Sequence, residues 1–218
     1  MNLNKAFKEL YPYKEEKRVM SINYNNRFKS LNSNVKYDNH KIVFSLSKDW
    51  LEYSEELRKG LVQSLMVKIH PYEYEETMAI DLYKKFISNL NRYAKRDKTD
   101  PILEEAFKSI NKEYFEDLME QPNLVWGKKA FYKLGHYEHQ TDTVLISEIF
   151  KEEKELLDYI LFHELLHKKH GIKFSKTGRH MHHTKAFRDE EKKFKDKNIE
   201  KKLKWFLRKH KLKNAFGF

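Results

Sequence analysis

The apolar positions in the first half of the chain mostly repeat with the period of an α-helix. Three helices are predicted, at residues 54–70, 73–93 and 100–118. Their predicted buried stripes are Leu57, Leu61, Leu65 and Ile69 in the first helix, Met78, Leu82, Phe86 and Leu90 in the second, and Ile102, Ala106, Phe107, Ile110, Tyr114 and Leu118 in the third. Residues 41–46 alternate as a strand does, whereas residues 1–34 predict one short helix near 3–10 and then irregular structure. These stripes indicate a hydrophobic core, and they do not identify a catalytic or binding function.

The pattern changes after residue 120. Residues 124–134 and 141–146 predict two strands with a polar turn between them. The next segment is apolar almost all round, which is typical of a buried helix, and two further helices are predicted to end near residues 194 and 210. The chain therefore predicts an α+β fold. Its predicted domains are a mainly helical region at residues 1–119, with one strand near 41–46, and a second domain at residues 120–218.

The buried helix carries the run His163-Glu164-Leu165-Leu166-His167. Side chains four residues apart leave the same face of a helix, so both imidazoles can reach one metal ion at about 2.0–2.1 Å. Glu164 lies beside this pair, where its carboxylate can take a proton from a metal-activated water. Two histidines and a glutamate on an apolar helix would be costly to bury without a partner, and a metal supplies that partner.

A catalytic zinc usually has three protein ligands and a water, so a third ligand is required. The metzincin pattern H-E-x-x-H-x-x-G-x-x-H is absent, because His170 and Lys173 stand at the positions of its glycine and third histidine. His170 is instead interpreted as a favourable cation at the C-terminus of the helix, which Gly171 is predicted to end.

A second histidine element, His183-Thr184-Lys185-Ala186-Phe187, follows downstream. H-E-x-x-H, a loop and then H-x-x-x-F resembles the SprT-like zinc metallopeptidases, over roughly residues 120–210. Residues 134–147 are also similar to the strand pair that precedes the active-site helix in that family. The resemblance implies a zincin-like metallopeptidase domain with a small β-sheet at residues 120–218.

The resemblance also implies the site. Zn²⁺, one per chain, would be held by His163, His167 and His183, with Glu164 as general base and Phe187 as a packing residue. The expected function is that of a zinc-dependent endopeptidase, in which a metal-activated water attacks a peptide carbonyl. Where the family commonly has glycine, this chain has Thr184. The neighbouring His182 therefore competes as third ligand.

The residue that stabilises the oxyanion is left open by the sequence, which offers Tyr137, His136, Arg179 and His182. Some SprT-like proteases digest proteins crosslinked to DNA, so the resemblance suggests DNA-associated proteins as substrates. The alternative function is a nucleic-acid-binding module with a structural zinc, whose fourth ligand would be His170, His180 or His182. Glu164 argues against that alternative, because a structural site needs no base. A hydrolase acting on a non-peptide amide stays open.

The net charge of +11 is concentrated in the second half. Residues 168–213 contain 18 Lys and Arg against 5 Asp and Glu, a local balance of +13 that leaves −2 for the rest. Such a surface would attract nucleic acid or acidic protein segments, and non-specific DNA contact through this segment is an expectation. A lysine-rich solvated helix face explains it equally well. Lysine far outnumbers arginine in this segment, and no aromatic stacking pattern interleaves it, which argues against sequence-specific readout.

The absence of cysteine and of long apolar runs indicates the cellular compartment that is expected for the protein. There is no cysteine, which excludes disulfides and cysteine-based zinc fingers. No apolar run approaches the roughly 18 residues of a membrane span, and residues 1–19 lack the apolar core of a secretory signal. A cytoplasmic location and a protein or peptide substrate are expected, while the oligomeric state is left open.

Overall fold

The structure, a computed structural model, describes residues 1–28, 30–70, 72–175 and 180–216. Contacts divide the chain into two compact units. The first contains Met1–Ser88 with the described part of Phe174–His180, and the second contains the described parts of Asn89–Lys173 and Met181–Phe218. The units therefore divide near residue 88, whereas the sequence predicts a domain boundary at residue 119.

The described elements make an α+β protein, as predicted. The α-helices are α1 Leu3–Leu10, α2 Glu55–Ile69, α3 Met78–Asn89, α4 Pro101–Phe115, α5 Lys154–His170, α6 Lys185–Glu191 and α7 Ile199–Phe216. The strands are β1 Val19–Asn25, β2 Ser33–Tyr37, β3 Lys41–Ser47, β4 Asn123–Gly127, β5 Gly135–Glu138, β6 Thr143–Ser147, β7 Lys173–Phe174 and β8 His180–Met181. No helix in the described ranges is both long and apolar enough to cross a membrane.

The first unit contains a three-stranded sheet in the order β1-β3-β2. Strand β3 is the predicted one, and β1 pairs with it in parallel while β2 pairs antiparallel. Strands β1 and β2 lie where irregular structure was predicted. Met20, Ile22 and Tyr24 alternate in β1, but the segment is Asn-rich and the residues of both strands are at most half-buried, so this weak pattern does not predict a strand. Helix α2 begins at its predicted cap, where the Leu57 N–H donates to Ser54 Oγ at 3.3 Å.

The predicted faces of two helices need correction. In α3, Met78 and Leu82 are exposed, and the buried residues are Ala79, Ile80, Tyr83 and Ile87. Both sides of that helix carry large apolar residues, so the sequence pattern did not determine the phase. In α4, Ile102 is exposed and Leu103 is buried instead. Leu118 is exposed because the helix ends at Phe115, before the predicted position.

The second unit contains a mixed sheet in the order β4-β6-β5. Strand β4 runs parallel to β6, and β5 runs antiparallel to it, so β5 is an edge strand. Helix α5 packs on β5 and β6, and its buried residues Leu161, Leu165 and Leu166 lie in one core with residues of α4, α6 and α7.

A buried charged cluster joins the β5–β6 hairpin to the end of α5. Asp142 is fully buried in the turn before β6, where its φ of 45° is left-handed. Its carboxylate accepts hydrogen bonds from Tyr137 Oη at 2.8 Å, Arg96 Nε at 2.5 Å and Lys168 Nζ at 2.6 Å. Because Lys168 follows His167 on α5, this cluster helps to fix the helix against the hairpin.

Helix α6 begins later than the sequence predicts. The Phe187 N–H donates to Thr184 Oγ1 at 3.3 Å, so Thr184 is the N-cap. His183 therefore lies just before α6 and not within it. The threonine that departs from the family pattern has a local role, because threonine and glycine are both accepted at an N-cap.

Candidate metal centre

Helix α5 places His163 and His167 side by side. The two residues are one helical turn apart, and their ring centroids are 5.0 Å apart. The helix ends after His170, where Gly171 has a left-handed φ of 59° and its N–H donates to the His167 carbonyl. The predicted end of the helix at Gly171 is thus confirmed.

His183 meets these two imidazoles from the segment before α6. Its Nε2 lies 3.3 Å from Nε2 of His163 and 3.2 Å from Nε2 of His167. Three nitrogens bound to one tetrahedral zinc at about 2.0–2.1 Å would lie about 3.3 Å apart. Both distances match that spacing, and one ligand atom from each of the three residues lies within 4.8 Å of the others, so the arrangement fits a metal ion.

Phe187 lies beneath the three imidazoles. It is fully buried, and its ring centroid is 5.2 Å from that of His163, 4.7 Å from that of His167 and 4.9 Å from that of His183. Because Phe187 lies in the first turn of α6 and packs on His163 and His167 of α5, it holds the His183 segment over that helix.

The protonation states of two histidines suit a cation. Burial lowers the pKa of His167 to about 3, helped by the neighbouring histidines. Burial and His163 also lower the pKa of His183. Both rings are therefore neutral at neutral pH, which leaves nitrogen lone pairs available as ligands.

His163 is held from behind by Glu191, the last residue of α6. His163 Nδ1 lies 2.6 Å from Glu191 Oε1, to which Tyr159 Oη also donates at 3.2 Å. Burial lowers the pKa of His163, but the hydrogen bond to Glu191 and the charges of Glu164 and Glu191 outweigh burial and raise it. With the proton on Nδ1, the Nε2 lone pair points to the other two histidines.

Glu164 is a residue of α5, and its side chain is buried against strand β5. A Cβ atom on Gly135 would lie 2.6 Å from Glu164 Oε1 and 2.9 Å from its Cγ, so only glycine fits there. Burial raises the pKa of Glu164 to about 7, against the opposing effects of His163 and of a hydrogen bond from the Tyr137 backbone. A carboxyl group with this pKa can both accept and return a proton near neutral pH.

His183, and not His182, joins the cluster of potential ligand atoms. Within the described part of the chain, that cluster consists of His163, His167 and His183, whose ligand atoms all lie within 4.8 Å of one another. His182 is exposed, with its ring centroid 6.2 Å from that of His167. His170 instead faces Glu190, at 3.6 Å from Nε2 to Oε1.

The four residues that the sequence offered for stabilising the oxyanion differ in whether they can reach the histidines. The Tyr137 hydroxyl is engaged by Asp142, away from the histidines. Gly135 of β5 lies on the face of the sheet that packs against Glu164. Successive residues of a strand point to opposite faces, so the side chain of the next residue, His136, projects away from Glu164. Arg179 and the side chain of His180 lie outside what the structure describes. His182 stays a candidate.

Two residues of this site were missed by sequence reasoning. Glu191 has a detectable signal, since His183, Phe187 and Glu191 recur at intervals of four residues. Gly135 has no such signal, because glycine is required at this position only once α5 packs on β5.

Comparison with known proteins adds little. No protein-family model matches the chain, and no curated protein matches it. It is similar to a solved structure described as the crystal structure of the metallopeptidase zymogen of Methanocaldococcus jannaschii jannalysin, with 24% sequence identity, a TM-score of 0.36, and coverage of 52% of this chain and 98% of that chain. That TM-score is too low to establish a shared fold.

Proposed function

We propose that this chain is a zinc-dependent endopeptidase of the SprT-like type, with His163, His167 and His183 as ligands and Glu164 as general base. The single observation that carries the proposal is the convergence of three Nε2 atoms, with His183 at 3.3 Å and 3.2 Å from the other two, beside a buried glutamate. Burial keeps the rings of His167 and His183 neutral, so their lone pairs are available to a cation at the point where the three side chains meet.

An open coordination position supports catalysis over a structural role. Among the described side chains, no fourth histidine, aspartate or glutamate joins the three histidines, and the chain has no cysteine. Structural zinc sites are normally closed by four protein ligands, whereas catalytic sites keep one position for water or substrate. The buried Glu164 has no use in a structural site.

When bound, zinc would supply a Lewis acid that polarises the substrate carbonyl and acidifies a water. The residues of the chain do the rest. Glu164 would accept the proton of the attacking water and return it to the departing amine. Glu191 keeps His163 oriented through Nδ1, and Gly135 gives the Glu164 carboxylate its place against β5. His182 is the proposed oxyanion donor.

The substrate would be held along strand β5. An edge strand presents unpaired backbone groups, to which an extended peptide can add as a further strand. Since backbone hydrogen bonds would carry much of that contact, the enzyme would accept many sequences. Action on DNA-associated proteins, and non-specific DNA contact through residues 168–213, stay predictions.

The proposal is tested by metal content and cleavage together. Elemental analysis should find one zinc per chain in the wild type and in Glu164→Gln, and none in His183→Ala. His182→Ala is the matched control and should keep its zinc. Cleavage of an unfolded protein should fall at least about 10²–10⁴-fold in Glu164→Gln.

Two results would reject the proposal. Full cleavage by Glu164→Gln would remove Glu164 from the reaction. Zinc bound without any cleavage by the wild type, together with salt-sensitive retention on DNA, would favour the nucleic-acid-binding module.

A further inference from the structure

A groove of about 650 Å³ opens on the candidate metal centre from the side of α6 and α7. His163 and His183 are among the residues that line it. Its floor is apolar, with Phe194 and Ile199 buried. Its walls carry five basic side chains, which are Arg188, Lys192, Lys197, Lys201 and Lys204.

The acidic side chains in the groove are mostly committed to other partners. The lining contains Glu191, Asp196 and Glu200. Glu191 accepts hydrogen bonds from His163 and Tyr159, and Asp196 forms an ion pair at 2.9 Å with Lys202, which lies outside the lining. Only Glu200 is left, within the described lining, to balance the five cations.

The basic side chains are, by contrast, largely available. In the described part of the chain, Arg188, Lys201 and Lys204 form no ion pair, whereas Lys192 forms one with Asp189 at 3.6 Å. Lys197 donates to the backbone carbonyls of Lys192 and Phe194 at 2.7 Å and 3.0 Å, which holds its ammonium group in place. The groove therefore presents a surplus of positive charge beside the three histidines.

We propose that this groove is a subsite for acidic side chains of the protein substrate, an inference that rests on the function proposed above. Any substrate whose carbonyl lies at His163 and His183 can extend directly into the groove, so the reacting group and the groove's occupant belong to one molecule. Aspartate and glutamate would meet the basic walls, while their apolar neighbours would cover Phe194 and Ile199.

A peptide fits this groove better than a nucleic acid. Its Tyr159 and Phe194 rings are both buried, and its one exposed ring among the described residues is the imidazole of His183, a proposed metal ligand, so the groove lacks a platform for stacking on bases. Lysine supplies four of its five cations, and lysine gives point charges without the bidentate geometry that arginine offers phosphates.

The test is direct peptide binding to the full-length Glu164→Gln protein, so that no turnover is needed. Fluorescence anisotropy would compare a labelled peptide rich in Asp and Glu with the same peptide carrying Asn and Gln. Two or three partly exposed ion pairs predict about tenfold tighter binding of the acidic peptide, and added salt should weaken it.

Charge reversal in the groove, by Lys201→Glu with Lys204→Glu, should abolish that preference. The matched control is Lys108→Glu with Lys112→Glu, which makes the same charge change on the exposed face of α4 and should retain it. Circular dichroism and zinc content should be unchanged in both. Equal affinity for the two peptides, or an unaltered preference in the groove variant, would overturn the inference.

Single-stranded DNA is the third ligand in the experiment. If DNA displaces the acidic peptide and its own binding is lost in the groove variant only, the groove takes nucleic acid and the inference is wrong. Cleavage of an unfolded protein by the wild type is scored separately. Cleavage without an acidic preference defeats only this inference. An acidic preference without cleavage defeats the proposed function, and the groove is then a binding site for acidic peptides that are not substrates.

Discussion

Gly135 and Glu164 are packed so closely that the backbone of β5 serves as one wall of the glutamate's pocket. The atoms that a Cβ at residue 135 would meet belong to the carboxylate, to Cγ of the same side chain and to Ile160 of the same helix, all within 2.9 Å. None of these can move far, because Glu164 and Ile160 are buried. The position of the proposed base thus depends on a residue that contributes no side chain.

Gly135→Ala should impair catalysis more than metal binding. The added methyl must displace the Glu164 carboxylate or β5, and a misplacement near 1 Å can cost about 100-fold in rate. Zinc content should be retained, since the three histidines are untouched. The measurements are kcat on an unfolded protein and zinc by elemental analysis.

Gly127→Ala in β4 is the control for that variant. A Cβ at Gly127 would lie 3.6 Å from the Ile146 carbonyl oxygen, an ordinary contact, so this variant should behave as the wild type. Equal activity of the two variants would show that the contact at Gly135 does not matter.

Glu191→Ala should weaken zinc binding about 10–100-fold, as expected when the carboxylate behind a metal-bound histidine is lost. His163 would then lose the partner that lies 2.6 Å from its Nδ1. Competition with a chromophoric chelator measures the affinity. The neighbouring Glu190→Ala loses an ion pair with Lys169 instead and should leave zinc affinity within about twofold of the wild type. A similar loss in both variants would argue against the assigned role.

Asp142→Asn should lower the free energy of unfolding by about 3–5 kcal/mol, the usual cost of breaking a buried ion pair from one side. Lys168, with a side chain 9% exposed, would be left without its anion. Urea unfolding measures the change. Asp97→Asn removes an exposed pair with Lys95 and should stay within about 0.5 kcal/mol of the wild type. A small effect at residue 142 would mean that water reaches Lys168.

Asp158→Asn should stabilise the metal-free protein at neutral pH but not in acid. Burial raises the pKa of the Asp158 carboxyl above its ordinary value of 3.8. The folded state therefore holds this proton more tightly than the unfolded state. In the wild type, the contribution of the Asp158 carboxyl to folding stability is fully present below pH 3.8. It is lost as pH rises through the raised pKa.

The matching measurement is the melting temperature at several pH values, with a chelator present so that zinc release does not contribute. The melting temperature of the variant should exceed that of the wild type near pH 7, and the two should coincide at the acid end. A gain that is constant with pH would mean that ionisation of Asp158 is not its cause.

Local patterns predicted some parts of the molecule well. The spacing of His163 and His167, the cap at Ser54 and the glycine after His170 are signals that lie within one or two helical turns. The face of α3 was mispredicted because Met78 and Leu82 are as apolar as the residues that are buried. Strand β1 was missed because it is held by backbone pairing with β3 and buries little of its own.

The candidate site divides in the same way. The metal-ligand pair follows from helix periodicity, whereas the pairing of Glu191 with His163 spans 28 residues and needs α6 to pack on α5. Gly135 is required only because of where another helix lies. Residues whose role is set by such tertiary contacts carry no local pattern, and one sequence alone does not reveal them.

The position of His183 outside any helix links metal binding to the stability of the fold. Two of the proposed ligands lie on a rigid helix and the third lies 16 residues beyond His167, so a bound ion would cross-link the chain as a disulfide does. Folding would then be linked to ion supply, and zinc at about a thousand times its dissociation constant would add about 4 kcal/mol. Scarcity of the ion would leave a protein that is inactive and also easier to unfold, and therefore open to degradation by other proteases.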